Sequence, residues 1–162
     1  MTTLGNTSLL DQLLRPGSGL AVHGFLCSRC TKSSVILPCL DWAVERAHGT
    51  EPVISTFHSE MELAVLDMLL PGTCPIILVM GRSLYKVIPD KLKPLLDTGR
   101  LLIISICEQK RITRESALEC NRFICEHSDT LTFGFLSSES SLLSLHDEAI
   151  RNHKSVNVIT HQ

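Results

Sequence analysis

Pro75-Ile76-Ile77-Leu78-Val79-Met80, followed by Gly81-Arg82-Ser83, is the stretch on which the reading of the fold turns. A strand with one wet face alternates apolar and polar residues, whereas a strand covered on both faces is apolar throughout. The run Pro75–Met80 does not alternate, and Pro71-Gly72 closes the segment before it. It therefore reads as a central strand of a parallel sheet, with a polar loop at its carboxyl end.

Working outward, the same kind of short apolar run recurs at Gly19–Phe25, Pro52–Thr56, Leu101–Ser105, Thr130–Phe135 and Val156–Ile159. Longer amphipathic stretches separate these runs, which is the pattern of repeated βα units. One helix ends near His48-Gly49, with Pro38 in its first turn and Trp42, Ala43 and Ala47 facing inward. Ser59 followed by Glu62 has the form of a capping box opening the next. Further helices are expected over Asp90–Asp97 and Thr113–His127, and from a Ser137-Ser138 cap to about Asn152. The fold class expected is α/β, a Rossmann-like three-layer sandwich with a mostly parallel sheet of five to six strands. Residues 1–18 read as an appendage, in which Leu9, Leu10, Leu13 and Leu14 form a short helix docked on the domain or a partner; residues 19–162 read as a single domain.

A chain of 162 residues suits one domain. Its 44% hydrophobic and 20% charged content is ordinary for a globular protein. The net charge of −2, from 15 basic and 17 acidic residues, is not that of a domain gripping nucleic acid over its whole surface, although a local basic patch stays open. One Trp and one Tyr leave few stacking platforms for bases. Seven cysteines, an odd number scattered through apolar stretches, point to reduced thiols in the cytoplasm. Met1–Leu14 has no early Lys or Arg and is not read as a signal peptide, and the apolar runs are too short to span a bilayer, so a soluble protein without a membrane partner is expected.

Ligands of parallel sheets sit beyond the carboxyl ends of the strands, where helix N-termini expose free N–H groups. Arg29, Arg82 and Arg122 each fall in or near such a loop, and together they predict an anion site, because guanidinium groups bind phosphate bidentately. Ser28, Ser59 and Ser138 could add hydroxyl donors. Cys27-Ser28-Arg29-Cys30 has three readings: a redox pair at a helix start, a metal site with His23, or two small residues flanking a functional Ser-Arg pair. His58, with Glu60 and Glu62, either orders a turn or faces a ligand. Cys120, Cys125 and His127 do not converge on a metal, and no metal or cofactor is assigned. Neither a G-x-x-x-x-G-K-[ST] loop nor a G-x-G-x-x-G fingerprint is present, so a simple NTPase or a standard NAD-binding dehydrogenase is not expected.

Several segments together resemble the DNA-processing protein A (DprA/Smf) family. These are Val53–Ser59 leading into a helix, Ile76–Met80 with Gly81-Arg82-Ser83-Leu84 and then Ile88-Pro89, Gly99–Ser105, Cys120-Asn121-Arg122-Phe123-Ile124, and Ser137–Ser141. The resemblance runs over roughly residues 19–160. Cys120 replaces the first Arg of the family's Arg-Asn-Arg motif, and Thr56, Phe57 and His58 stand where glycines follow its V-S-G strand end. It implies a Rossmann-like domain related to the lysine-decarboxylase-like proteins, with site residues Ser28, Arg29, His58, Ser59, Gly81, Arg82, Asn121, Arg122 and Ser138. It also implies binding of single-stranded DNA and work with a recombinase. The P-G-G-x-G-T-x-x-E motif of the nucleotide-cleaving branch has no counterpart in Phe135–Ser141.

Three functions follow as expectations. The first is a module that binds a nucleotide or other phosphate-bearing ligand at the strand ends. The second is a single-stranded DNA-binding protein of DNA processing. The third is an enzyme, either a nucleotide hydrolase using His58 or Glu62 or a thiol–disulfide protein using Cys27 and Cys30. A homodimer is also compatible with such a domain.

Overall fold

A computed structural model describes residues 1–15, 17, 19–29 and 32–159. In chain order the elements are β1 (Thr2–Gly5), α1 (Thr7–Leu14), β2 (His23–Leu26), α2 (Ile36–Ala47), β3 (Val53–Ser55), α3 (Glu60–Leu69), β4 (Ile76–Met80), α4 (Lys93–Asp97), β5 (Leu101–Ser105), α5 (Arg114–His127), β6 (Thr130–Phe133), α6 (Ser141–Arg151) and β7 (Ser155–Val158). The strands form one sheet in the order β1-β5-β4-β3-β2-β6-β7, parallel except for β1.

The apolar run that fixed the reading behaves as expected. β4 is buried at all five positions and lies between β3 and β5. Its side chains alternate between two cores, so a continuous apolar strand serves both faces. Ile76, Leu78 and Met80 meet α2, α3 and α4, through Ala43, Leu66 and Leu95 among others. Ile77 and Val79 meet α1, α5 and α6, through Leu13, Ile124 and Leu145. This is the three-layer sandwich. Among the described residues no helix is long and apolar enough to cross a membrane.

The sheet has seven strands, not five or six, because residues 2–5 are part of it rather than appended to it. β1 pairs antiparallel with β5, from Thr2 opposite Ser105 to Gly5 opposite Leu102. Gly5 has φ +105, and a Cβ there would collide with the Leu101 carbonyl, so the strand can meet its neighbour and turn only with glycine. Asn6 then caps α1 by accepting from Ser8 N, while its amide donates to the Gly99 carbonyl at 2.8 Å. Leu9 and Leu13 of α1 are buried against the sheet, whereas Leu14 is exposed.

The chain lays down β2, β3, β4 and β5 in one direction and then returns to place β6 on the other side of β2. That reversal opens a crevice between the carboxyl ends of β2 and β6, where sheets of this kind take their ligands.

Candidate functional site

Three strand-end loops surround this crevice, and each is held by specific hydrogen bonds. After β2, Ser28 N donates to the Phe135 carbonyl (3.0 Å) and Ser28 Oγ accepts from Ser137 N (3.2 Å), tying the β2 and β6 loops together at the reversal. After β3, Phe57 has φ +46, a conformation uncommon for a bulky residue. The turn is held by Ser55 Oγ, which accepts from Phe57 N, and by the buried carboxylate of Glu62. That carboxylate accepts from Thr56 Oγ1 (2.6 Å), His58 N (3.1 Å), Ser59 N (3.3 Å) and, across the crevice floor, Cys27 N (3.1 Å). The capping box read from Ser59 and Glu62 is present, and the same Glu62 joins two strand ends.

After β4, Gly81 lies against the first turn of α5: a Cβ there would sit 2.8 Å from Ser116 Oγ and 3.2 Å from the Ser116 carbonyl carbon. The buried Ser105 hydroxyl, at the end of β5, is 2.6 Å from the Arg82 carbonyl and 2.7 Å from that of Cys107, and Ser83 N donates to the Gln109 carbonyl (2.8 Å). The Arg82 backbone is thereby fixed, and its side chain lies over Tyr85, with the guanidinium carbon 4.8 Å from the ring centroid.

The loops enclose a cavity of about 820 Å³ that also takes in the first turns of α3, α5 and α6. Three guanidinium groups line it: Arg29 from the β2 loop, Arg82 from the β4 loop and Arg114 from the start of α5. Among the described residues none of the three has a carboxylate within 4.0 Å; a fourth cation at the cavity, Lys91, is 3.5 Å from Asp67. Cations of this kind beside helix N-termini are suited to an anionic ligand.

Of the residues expected at the site, Ser28, Arg29, His58, Ser59, Gly81, Arg82 and Asn121 line this cavity. Arg122 does not. It borders a separate recess of about 110 Å³ between α5 and α6, beside Cys125 and Glu148. The reason is helical phase: the lining residues of α5, Arg114, Ala117, Leu118, Cys120 and Asn121, share one side of the helix, and Arg122 lies past its edge, about 100° from Asn121 and about 40° beyond Leu118, toward α6. Ser138 is exposed and away from the lining, because the cap of α6 is Ser140, whose Oγ accepts from Leu142 N at 3.1 Å. Arg114 takes the place intended for Arg122; the signal that could have found it is the i, i+3, i+7 spacing from Arg114 through Ala117 to Asn121.

The sulfur readings change as well. His23 starts β2 and Cys27 follows its end, so they lie about 13 Å apart along an extended strand and do not share a metal. Cys30 lies outside the described residues, and α2 starts only at Ile36, so Cys27 is not at the start of a regular helix as the redox reading required. Burial, with the neighbouring Cys27 second, pushes the Cys39 thiol up to about 12; burial likewise takes Cys120 to about 12 and Cys125 to about 11. These are packing thiols. His127 stacks on Phe123 at 4.1 Å. Both oxygens of Glu62 are engaged in the brace, which removes it as a free base.

No protein-family model and no curated protein matches the chain. Solved structures do. One describes the single-stranded DNA binding mode of DNA processing protein A from Helicobacter pylori; it is 20% identical, with a TM-score of 0.76 over 99% of this chain and 71% of that one. Another is DNA processing protein A (DprA) from Streptococcus pneumoniae, 17% identical, with a TM-score of 0.74 over 99% of this chain. The chain spans about half, 54%, of that protein. The resemblance read from the strand and loop segments is met in three dimensions: this chain has the fold of the DprA proteins.

Proposed function

We propose that this chain is a DprA-like domain that binds single-stranded DNA in the crevice, with Arg29, Arg82 and Arg114 taking backbone phosphates. The observation that carries the reading is the gathering, around one cavity, of three guanidinium groups from three separate stretches of chain, with no carboxylate partner among the described residues. Phosphate is a good partner for a forked, permanently charged donor set, and helix N-termini reinforce it. The choice of a strand over another anion is supported by the fold, since a neighbouring structure describes single-stranded DNA binding by DprA. The overall charge of −2 does not oppose this, because Arg29, Arg82 and Arg114 gather at one cavity. Ser59 and Asn121 add polar groups to the lining.

A second reading has its own support. A cavity of about 820 Å³ lies within the usual range for small-molecule sites, so a free nucleotide fits as well. Fluorescence anisotropy with labelled oligodeoxynucleotides of increasing length, competed by mononucleotides, separates the two. The strand reading expects affinity that rises with length and falls steeply with salt. Saturation by a mononucleotide with no gain from length would replace it with the second, and absence of binding to either at low salt would remove both.

A further inference from the structure

The cavity wall is not uniformly polar. Arg29 and Arg114 come from the β2 loop and the start of α5, while α3 and the loop after β4, besides Arg82, contribute Leu63 and Tyr85 together with the nearly buried Leu66 and Leu92. A site for phosphate alone gains nothing from such a wall, because apolar surface repels a hydrated anion and favours a flat, weakly solvated group. Tyr85, the one tyrosine of the chain, is half-buried, rests partly on the core beneath and has the Arg82 guanidinium over its ring at 4.8 Å. Arg82 therefore stands where the cationic and apolar sides meet.

We infer that the Tyr85 side of the cavity receives a nucleobase, so that the site reads base and phosphate together. On binding, the Arg82 side chain turns from the ring to the phosphate, and the base stacks on the uncovered Tyr85 face, with the exposed Leu63 on the same cavity wall. Cation–π contact in the free protein covers an aromatic surface that would otherwise be exposed to water, and the ligand replaces it by stacking. The inference rests on the phosphate reading above and adds the part of the ligand that phosphate contacts cannot distinguish.

The test compares a labelled oligothymidylate of roughly ten nucleotides with a strand of equal length carrying abasic sites, by anisotropy at low salt. The wild-type protein is expected to bind the base-bearing strand about tenfold more tightly, in line with the contribution of one or two stacked bases. Tyr85→Ala brings the ratio close to one, Tyr85→Phe keeps it, and Arg82→Ala weakens both strands alike. The emission of Trp42, which stacks on Phe25 at 5.1 Å, checks that each variant is folded. Should Tyr85→Ala fail to fold, Tyr85→Phe and the two wild-type affinities decide. Equal wild-type affinity for both strands would overturn the base site and leave the phosphate reading standing. Failure to bind either strand would overturn both.

Discussion

The two rims of the sheet use their charges differently. At the amino rim several charged groups are committed to the fold. His23 Nε2 lies 3.0 Å from Glu51 Oε1 and 3.2 Å from Arg46 Nη1. Arg100 donates to the carbonyls of Leu69, Leu70 and Cys74 at 2.9–3.1 Å, and Lys154 to those of Glu126 and Ser128. Asp129 accepts from Val22 N at 2.7 Å. At the carboxyl rim the carboxylate of Glu62 is committed in the same way, yet Arg29, Arg82 and Arg114 are held by no carboxylate among the described residues. Charges that satisfy helix ends and strand ends contribute stability; charges left open at a concave rim are available to a ligand. Substitutions at the committed groups of the amino rim are therefore expected to lower stability and leave binding intact, and substitutions at the open cations of the carboxyl rim to do the reverse.

The largest effect is expected at Glu62, which lines the same cavity as the open cations. Glu62→Ala strands three backbone N–H groups and the Thr56 hydroxyl, and it removes the hydrogen bond that joins Cys27 to the β3 turn. Leaving one buried and three part-buried donors unsatisfied costs about 3 kcal/mol. Urea unfolding measures it, and a change below about 1 kcal/mol would show that the left-handed turn at Phe57 does not depend on this brace.

Arg100→Ala comes next, at about 2 kcal/mol, since three carbonyls at the end of α3 and before β4 lose a charged donor. Measuring DNA affinity on the same variant sharpens the contrast between the rims: it should not change. At the other rim, Arg82→Ala or Arg114→Ala should weaken oligonucleotide binding about tenfold and lower the slope of log K against log salt by roughly 0.7 for each phosphate no longer neutralised. Their stability should stay within about 0.5 kcal/mol of wild type. Arg122→Ala is the internal control, with both quantities unchanged. A drop in affinity for Arg122→Ala equal to that for Arg114→Ala would break the distinction drawn from helical phase.

That phase also marks how far the sequence could be read. The inner strands were legible because burial on both faces leaves unbroken apolar runs, and β5 matches its expected bounds, Leu101–Ser105. A cap was legible where a short polar side chain must meet a free N–H, as at Ser59; Thr113, read as the first residue of its helix, is the cap of α5. β1 was not, because Thr2–Gly5 is an edge strand with mostly exposed side chains, and its pairing with β5 leaves no periodic trace. Within the candidate site, the residues that follow a strand end (Arg29, Gly81, Arg82) line the cavity, since a strand end has one outlet. Arg122 and Ser138 do not line it, for a finer reason: one residue of helix rotation, or two residues in the position of a cap, moves a side chain out of the crevice. Arg114 went unread for the same reason. The long-range brace from Glu62 to Cys27 has no local signature at all.

The smallest expected effect is pH-dependent and returns to the amino rim. The hydrogen bond with His23 is the main cause that holds the Glu51 carboxyl below its ordinary value of 4.5; the Ala21 N–H and Arg46 add to it, and partial burial opposes them. A carboxyl whose folded pKa is depressed contributes stability above its unfolded pKa and loses it as pH falls through the folded value. Because the Glu51 side chain is 39% exposed, solvent screens the interaction and its worth at neutral pH is expected to stay under about 1 kcal/mol. Wild type should therefore exceed Glu51→Gln slightly in urea unfolding at pH 7, and the gap should close well below pH 4.5, where both side chains are neutral. Other carboxylates titrate equally in the two proteins and cancel. A gap that persisted into strong acid would assign the stabilisation to the shape of the side chain, and the amino rim would then owe less to its committed charges than the contrast with the crevice requires.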